Sequence, residues 1–383
     1  MWQPPPMRPA IGRGSPTEQC ELADWLVSDD AGAGEKNMAD IIDPERAIID
    51  PHHHLWDRRF VPQSPSASAP GVTEFERAIS LSPLYLLDQL NADAKAGHNV
   101  VGTVFLECGA FYRADGPAEY RCVGETEFVN GVAAMSASGL YGPMRACAGI
   151  VGHADLTLGA AVRPVLEAHL AAAPVRFRGI RHSPAWDADP AVLGMLQRNP
   201  PSLLAEPAFR AGLAELAAMG LSYDCWLLAP QLPELIAMAR AVPDLTIICD
   251  HLATPLGTAS YAGRRDADFA EWAGNIKLLA TCPNVVMKVG GLAMPFGGFA
   301  SFMADPMASA EILANEWQPW IDAAIAAFGA DRCMFESNFP VDRGTCDYAT
   351  LWNAFKLVSA AASEDEKTAL FSGTAARVYR LSL

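Results

Sequence analysis

Positive charge is scarce in this chain: 28 lysines and arginines stand against 44 aspartates and glutamates, a formal net charge of −16. A nucleic-acid binder needs a basic face for phosphates, so that class is excluded, and anionic membrane surfaces are disfavoured too. Long apolar runs are also missing. No stretch approaches the ~18 residues of a membrane-spanning helix, although half the residues are apolar and this length can bury a large core. Paired cysteines are absent: nine are scattered with no C-x-x-C pair, several of them inside apolar runs, such as Cys249 and Cys333. That leaves buried free thiols in a reducing cytoplasm and gives no support to a disulfide scaffold or a zinc ribbon. Residues 1–37 lack the apolar core of a secretory signal and any sustained periodicity. They are expected to be a disordered leader, with Met38 opening a folded unit over 38–383.

Eight short β-rich runs are present, at 47–54, 100–108, 147–153, 175–182, 221–227, 245–251, 285–291 and 333–339. Segments with helical spacing alternate with them, at 84–96, 126–138, 160–172, 208–219, 231–241, 269–279, 311–328 and 349–361. Such alternation implies a parallel sheet with helices outside it. Eight repeats fit an α/β fold of one closed (β/α)8 TIM-type barrel with extended βα loops after the first, second and seventh runs. An open doubly wound sheet is the alternative, but no G-x-G-x-x-G follows the first run.

Three of only eight histidines are consecutive, His52-His53-His54, at the end of the first run. Strand alternation sends His52 and His54 to one face and His53 to the other. Two imidazoles about 6–7 Å apart on one face can hold a divalent cation or orient a carbonyl and a water. Asp50, on the same face one layer lower, is placed to hold an imidazole. The other runs end in Glu107-Cys108, His153 with Asp155, Arg181-His182, Asp250-His251 and Glu336-Ser337-Asn338. In a barrel these ends converge on one mouth.

The Asp50-x-His52-x-His54 opening, the tracts 177–182, 249–255 and 334–341, and the tail 370–379 resemble the amidohydrolase superfamily. Within it they are similar to the sugar-lactonase and 2-pyrone-4,6-dicarboxylate lactonase group. The resemblance runs over roughly residues 47–380. It implies that His52, His54 and His251 are metal or substrate ligands for a divalent ion, zinc first, although some members of the group work without metal. The group's usual strand-eight Asp, ligand and proton shuttle, is Asn338 here, and an amide takes no proton from water at neutral pH. Glu336 stands where the group has Gly. Period-two alternation sets Glu336 and Asn338 on one inward face, so the carboxylate is expected one layer lower. Lys288 is its candidate structural partner.

The expected catalytic set is therefore His52, His54, His251, Glu336 and Asn338. Glu107, Asp250 and Asp342 are further carboxylates, with Asp250 expected to point outward because it precedes His251. Arg178, His182, Arg113, Tyr112 and Glu107 are the expected substrate contacts. Arg178 and Arg181 cannot both face inward, and His182 shares a face with Arg178. The reaction expected first is hydrolysis of a small carbonyl compound, above all a lactone. The alternatives are a metal-assisted decarboxylase or lyase, and an inactive barrel used for binding. The expected partner is a small molecule. Trp272, Trp317 and Trp320 fit either a core or a homo-oligomer contact.

Overall fold

Runs of β-branched and aromatic residues form strands because their side chains suit a pleated surface buried on both faces. The computed structural model describes residues 40–60 and 73–383; the expected leader lies outside these residues. Eight parallel strands pair in chain order: β1 (Ala47–His53), β2 (Asn99–Leu106), β3 (Arg145–Gly152), β4 (Phe177–Arg181), β5 (Ser222–Cys225), β6 (Ile247–Cys249), β7 (Val285–Val289) and β8 (Cys333–Phe335). The ring closes where His53 bridges Phe339. His54 N donates to Phe339 O at 2.8 Å and Asn338 N donates to His52 O at 2.8 Å. This is a (β/α)8 barrel.

The outer helices lie close to where periodicity sets them: Leu87–Ala94, Val123–Ala137, Arg163–Ala172, Pro207–Ala218, Leu232–Ala241, Arg265–Leu279, Ala310–Phe328 and Tyr348–Val358. Two of them, Ala310–Phe328 and Tyr348–Val358, start on a side chain that caps a free N–H group. Asp347, for one, accepts from Thr350 N at 2.7 Å. One apolar core lies between sheet and helices, and it takes in Trp272, Trp317 and Trp320, which are buried. A smaller one fills the barrel: Ile49, Val104, Leu106, Val151, Ile248, Val286 and Met334, joined by Val378 and Tyr379 from the segment after β8. Among the described residues no helix is long and apolar enough to cross a membrane, and eight cysteines are free.

Two departures from strict alternation matter for the site. In β1 the register slips between Asp50 and His53, where three steps on β1 match two on β2. Asp50 accepts the His52 N–H at 3.2 Å across Pro51, which itself has no N–H to offer the ladder. Asp50 thus leaves the face of His52 and lies among Ser337 and Tyr348, whose hydroxyls donate to it at 2.6 and 3.0 Å. It does not hold an imidazole. β6 and β8 also stop earlier than their apolar runs, so His251 and Asn338 fall beyond the strands.

Candidate active site

His251, Leu252, Ala253 and Thr254 all have left-handed backbone, with φ between 44° and 58°. Each such non-glycine residue costs about 1–3 kcal/mol, a cost that neighbouring contacts must offset. Trp272 Nε1 donates to Leu252 O at 2.8 Å and pins the turn from behind. Gly290 and Gly291 clear space in front of it. A Cβ at Gly291 would lie 2.4 Å from His251 Nδ1, and one at Gly290 would lie 2.5 Å from Glu336 Cγ. Reversal of the chain beyond β6 brings the His251 ring to 4.4 Å from that of His52, and His54 lies 5.1 Å from His52 on the other side. The three imidazoles expected to meet do meet.

Glu336 lies between two of them. Its Oε1 is 2.7 Å from His251 Nδ1 and its Oε2 is 2.7 Å from His52 Nδ1. Arg181 Nη1 reaches the other nitrogen of His52 at 3.2 Å. A neutral imidazole has one N–H and one lone pair, so of the two donors that approach His52, Arg181 at Nε2 and Lys288 at Nδ1, the ring accepts from only one. His54 Nδ1 faces Leu106 O at 2.9 Å, which fixes that ring's tautomer and leaves Nε2 with its lone pair. Below Glu336, Lys288 Nζ lies 2.9 Å from Asp224 Oδ1, 3.1 Å from Asp250 Oδ1 and 3.2 Å from His52 Nδ1. Arg181 Nε donates to Glu107 Oε1 at 2.8 Å at the rim of the mouth.

Burial sets the protonation states. It pushes His52 and His54 well below the usual imidazole range and His251 down to about 3, so all three are neutral. Burial also pushes Glu336 well above the carboxylate range; Lys288 opposes that shift and Asp250 adds to it. For Lys288, burial is outweighed by Asp224, Asp250 and Glu336, and the ammonium stays charged.

Not every expected residue joins this cluster. Asp250 faces inward, against the expectation. Ile248 two residues earlier lines the barrel interior, and His251 lies past the strand end, where it no longer reports the strand's alternation. On β4 the inward arginine is Arg181. Arg178 lies at the opposite end of the barrel, donating to Tyr379 O at 2.5 Å. His182 had set the parity wrongly because β4 ends at Arg181. Its ring packs against His153 and Phe209 and accepts from Leu156 N at 3.1 Å, outside the barrel interior. Asn338 has φ 54° and donates to Asp342 Oδ1 at 2.7 Å, so it does not share an inward face with Glu336. Arg113 is exposed and pairs with Glu127, and Tyr112 is on the outer rim. Lys288 and Asp224, undervalued or missed, had one signal: a single charge inside each of two buried strands, Val-Val-Met-Lys-Val and Ser-Tyr-Asp-Cys.

Residues 49–381 match the family described as Amidohydrolase. The chain belongs to that family. Protein y4mH of Sinorhizobium fredii is 36% identical over 337 residues, covering 88% of this chain and 99% of that one. An L-fucono-1,5-lactonase of Burkholderia multivorans is 29% identical over 212 residues, 54% of this chain and 64% of that one. Among solved structures, an amidohydrolase of Burkholderia multivorans with bound zinc matches with a TM-score of 0.65 and 25% identity, over 88% of this chain and all of that one. Membership makes the chain an amidohydrolase-type hydrolase.

The cluster also has the composition of a metal site. His52, His251 and Glu336 each offer a ligand atom, all within 4.8 Å of one another. Glu336 Oε2, both Asp250 oxygens and Asp224 Oδ2 are buried without a well-directed hydrogen bond. Four carboxyl groups (Glu107, Asp224, Asp250, Glu336) face two cations (Arg181, Lys288), so oxygen donors outnumber the fixed positive charges around them. Imidazole with carboxylate is a donor set that zinc accepts.

Proposed function

We propose that this amidohydrolase opens an uncharged lactone, with Glu336 moving the proton. The observation that carries the reading is the Glu336 carboxyl group held 2.7 Å from both His52 and His251. Hydrolysis needs one group to take a proton from the attacking water and return it to the leaving oxygen, and such a group works best when its pKa lies near the working pH. Burial moves Glu336 in that direction. Asn338 cannot do this work, since its amide is committed to Asp342.

Arg181 and Lys288 give fixed positive charge beside the imidazoles, aimed at a carbonyl oxygen as it gains charge. His52, His54 and His251 orient the substrate carbonyl and the water. His52, His251 and Glu336 would hold a divalent ion, zinc first, with His54 as the further nitrogen. Such an ion supplies Lewis-acid polarisation and a more acidic water.

The absence of charge on the substrate is argued from how the arginines are used. Arg178 and Arg113 are committed elsewhere, and Arg181 is occupied by Glu107 and His52. No arginine of this group is left to clamp a carboxylate. The lactonase relative supports the same class. The free thiols support a reducing, cytoplasmic setting.

A pH-indicator assay with paired lactones, identical except for one carboxylate, tests this reading. The uncharged partner should have the higher kcat/KM by roughly tenfold or more, about 1.4 kcal/mol. Equal turnover of both would overturn the substrate class, and carbon dioxide release without ring opening would replace hydrolysis by decarboxylation. Metal analysis of protein purified without chelators, beside His52→Ala, tests the ligand set. Bound zinc should fall in the variant, and equal content would remove His52 from it.

A further inference from the structure

Segment 374–383 enters the barrel from the end opposite the mouth. Its helix Thr374–Val378 is tied to the approach to β8 by Thr374 Oγ1, which donates to Asp331 O at 3.2 Å. Val378 and Tyr379 then pack among Ile49, Val104, Val151 and Met334 in the interior. Two glycines make room for Leu381 and Leu383. A Cβ at Gly102 would lie 2.7 Å from Leu383 Cδ2, and one at Gly149 would lie 3.0 Å from Leu381 Cδ2.

Apolar filling would serve this purpose with any ring, yet residue 379 carries a hydroxyl. That hydroxyl is fully buried and donates to Asp224 Oδ1, the same oxygen that holds Lys288 Nζ at 2.9 Å. Lys288 Nζ lies 5.5 Å from the centre of the Tyr379 ring. A buried donor placed on a carboxylate orients it, and an oriented carboxylate fixes the ammonium it binds. We infer that Tyr379 is a positioning residue: through Asp224 it holds the Lys288 ammonium against His52 and Asp250, and so sets the floor of the active site from the far end of the barrel.

The activity arm of the test rests on the lactonase reading; the structural arm does not. With a lactone that the wild type opens, Tyr379→Phe should lower kcat about tenfold while KM stays close to wild type, since a shift of ~1 Å in a group of the active site has effects of this size or larger. In an Asp224→Asn background the same change should have little further effect, because the two residues act on one ammonium. Leu381→Ala, which loosens the packing against the barrel core alone, should lower Tm and leave kcat in place. Unchanged kcat in Tyr379→Phe, losses that multiply in the double variant, or an equal kcat loss in Leu381→Ala would each overturn the inference. Crystal structures of wild type and Tyr379→Phe decide it without any substrate. Lys288 Nζ should leave its position beside Asp224, and an unmoved ammonium would overturn the assignment. If no lactone is opened by the wild type while Lys288 does move, the functional reading fails and the positioning role stands.

Discussion

At the end that receives segment 374–383, the barrel interior holds Ile49, Val104, Val151, Ile248, Val286 and Met334, apolar side chains packed with little or no exposure. Nearer the mouth it holds Arg181, Asp224 and Lys288 from β4, β5 and β7, with Asp250 and Glu336 just past the ends of β6 and β8, all buried and with carboxylate oxygens left without well-directed hydrogen bonds. The first region stabilises the fold through burial. The second costs stability, because ions taken from water regain that loss only where their partners are well placed. Left-handed backbone is likewise found at His251 and Asn338 in the charged region. Arg380, in the segment at the apolar end, is left-handed too, so what separates the two ends is the unpartnered charge, whose cost the apolar burial offsets.

Four substitutions sharpen or break this contrast. Glu336→Gln should lower kcat by about 10²–10⁴-fold, the range for a lost proton-transfer group, with far-UV circular dichroism unchanged. A fall of less than threefold would leave the charged region without its proposed base. Ile248→Ala should do the reverse, costing about 2–5 kcal/mol in urea unfolding while kcat holds. If it damages turnover as strongly as stability, the two regions are not separable.

Glu125 gives a smaller, pH-dependent effect. It accepts N–H groups from Cys108 and Ala110 at 3.1 and 2.8 Å and so holds the loop beyond β2. Burial, with Glu107 nearby, raises its pKa to about 8 from the usual 4.5. The folded state keeps this proton longer than the unfolded chain, so stability falls as pH rises from about 4.5 to 8. Glu125→Gln keeps the acceptor oxygen and removes the titration, so its Tm relative to wild type should climb between pH 5 and pH 8. A flat difference would mean that Glu125 ionises normally. Arg113→Ala should be smallest, within about 0.5 kcal/mol and without effect on KM, because an exposed pair with Glu127 contributes little.

Most of the architecture was legible because apolar runs of strand length alternate with helical spacing, and each repeat reports itself locally. The meeting of His52, His54 and His251 followed from strand-end position in a closed ring. Side-chain direction was less legible, and the failures share a cause. Period-two alternation holds inside a ladder, whereas Asp50 sits at a bulge and His182, His251 and Asn338 lie beyond strand ends. Parity carried across those points put Asp250 and Arg181 on the wrong face. The contacts of Lys288 with Asp224 and Asp250 join separate strands, and a one-dimensional pattern shows a buried charge without naming its partner.

The backbone bonds that join β8 to β1 are made by His52, His54, Asn338 and Phe339. The ladder between the first and last strands therefore runs through two of the imidazole carriers and lies two residues from Glu336. A barrel opened at this seam would keep most of its helices and lose its chemistry outright. Turnover during refolding thus cannot return before the circle shuts, an event that total helix content would miss.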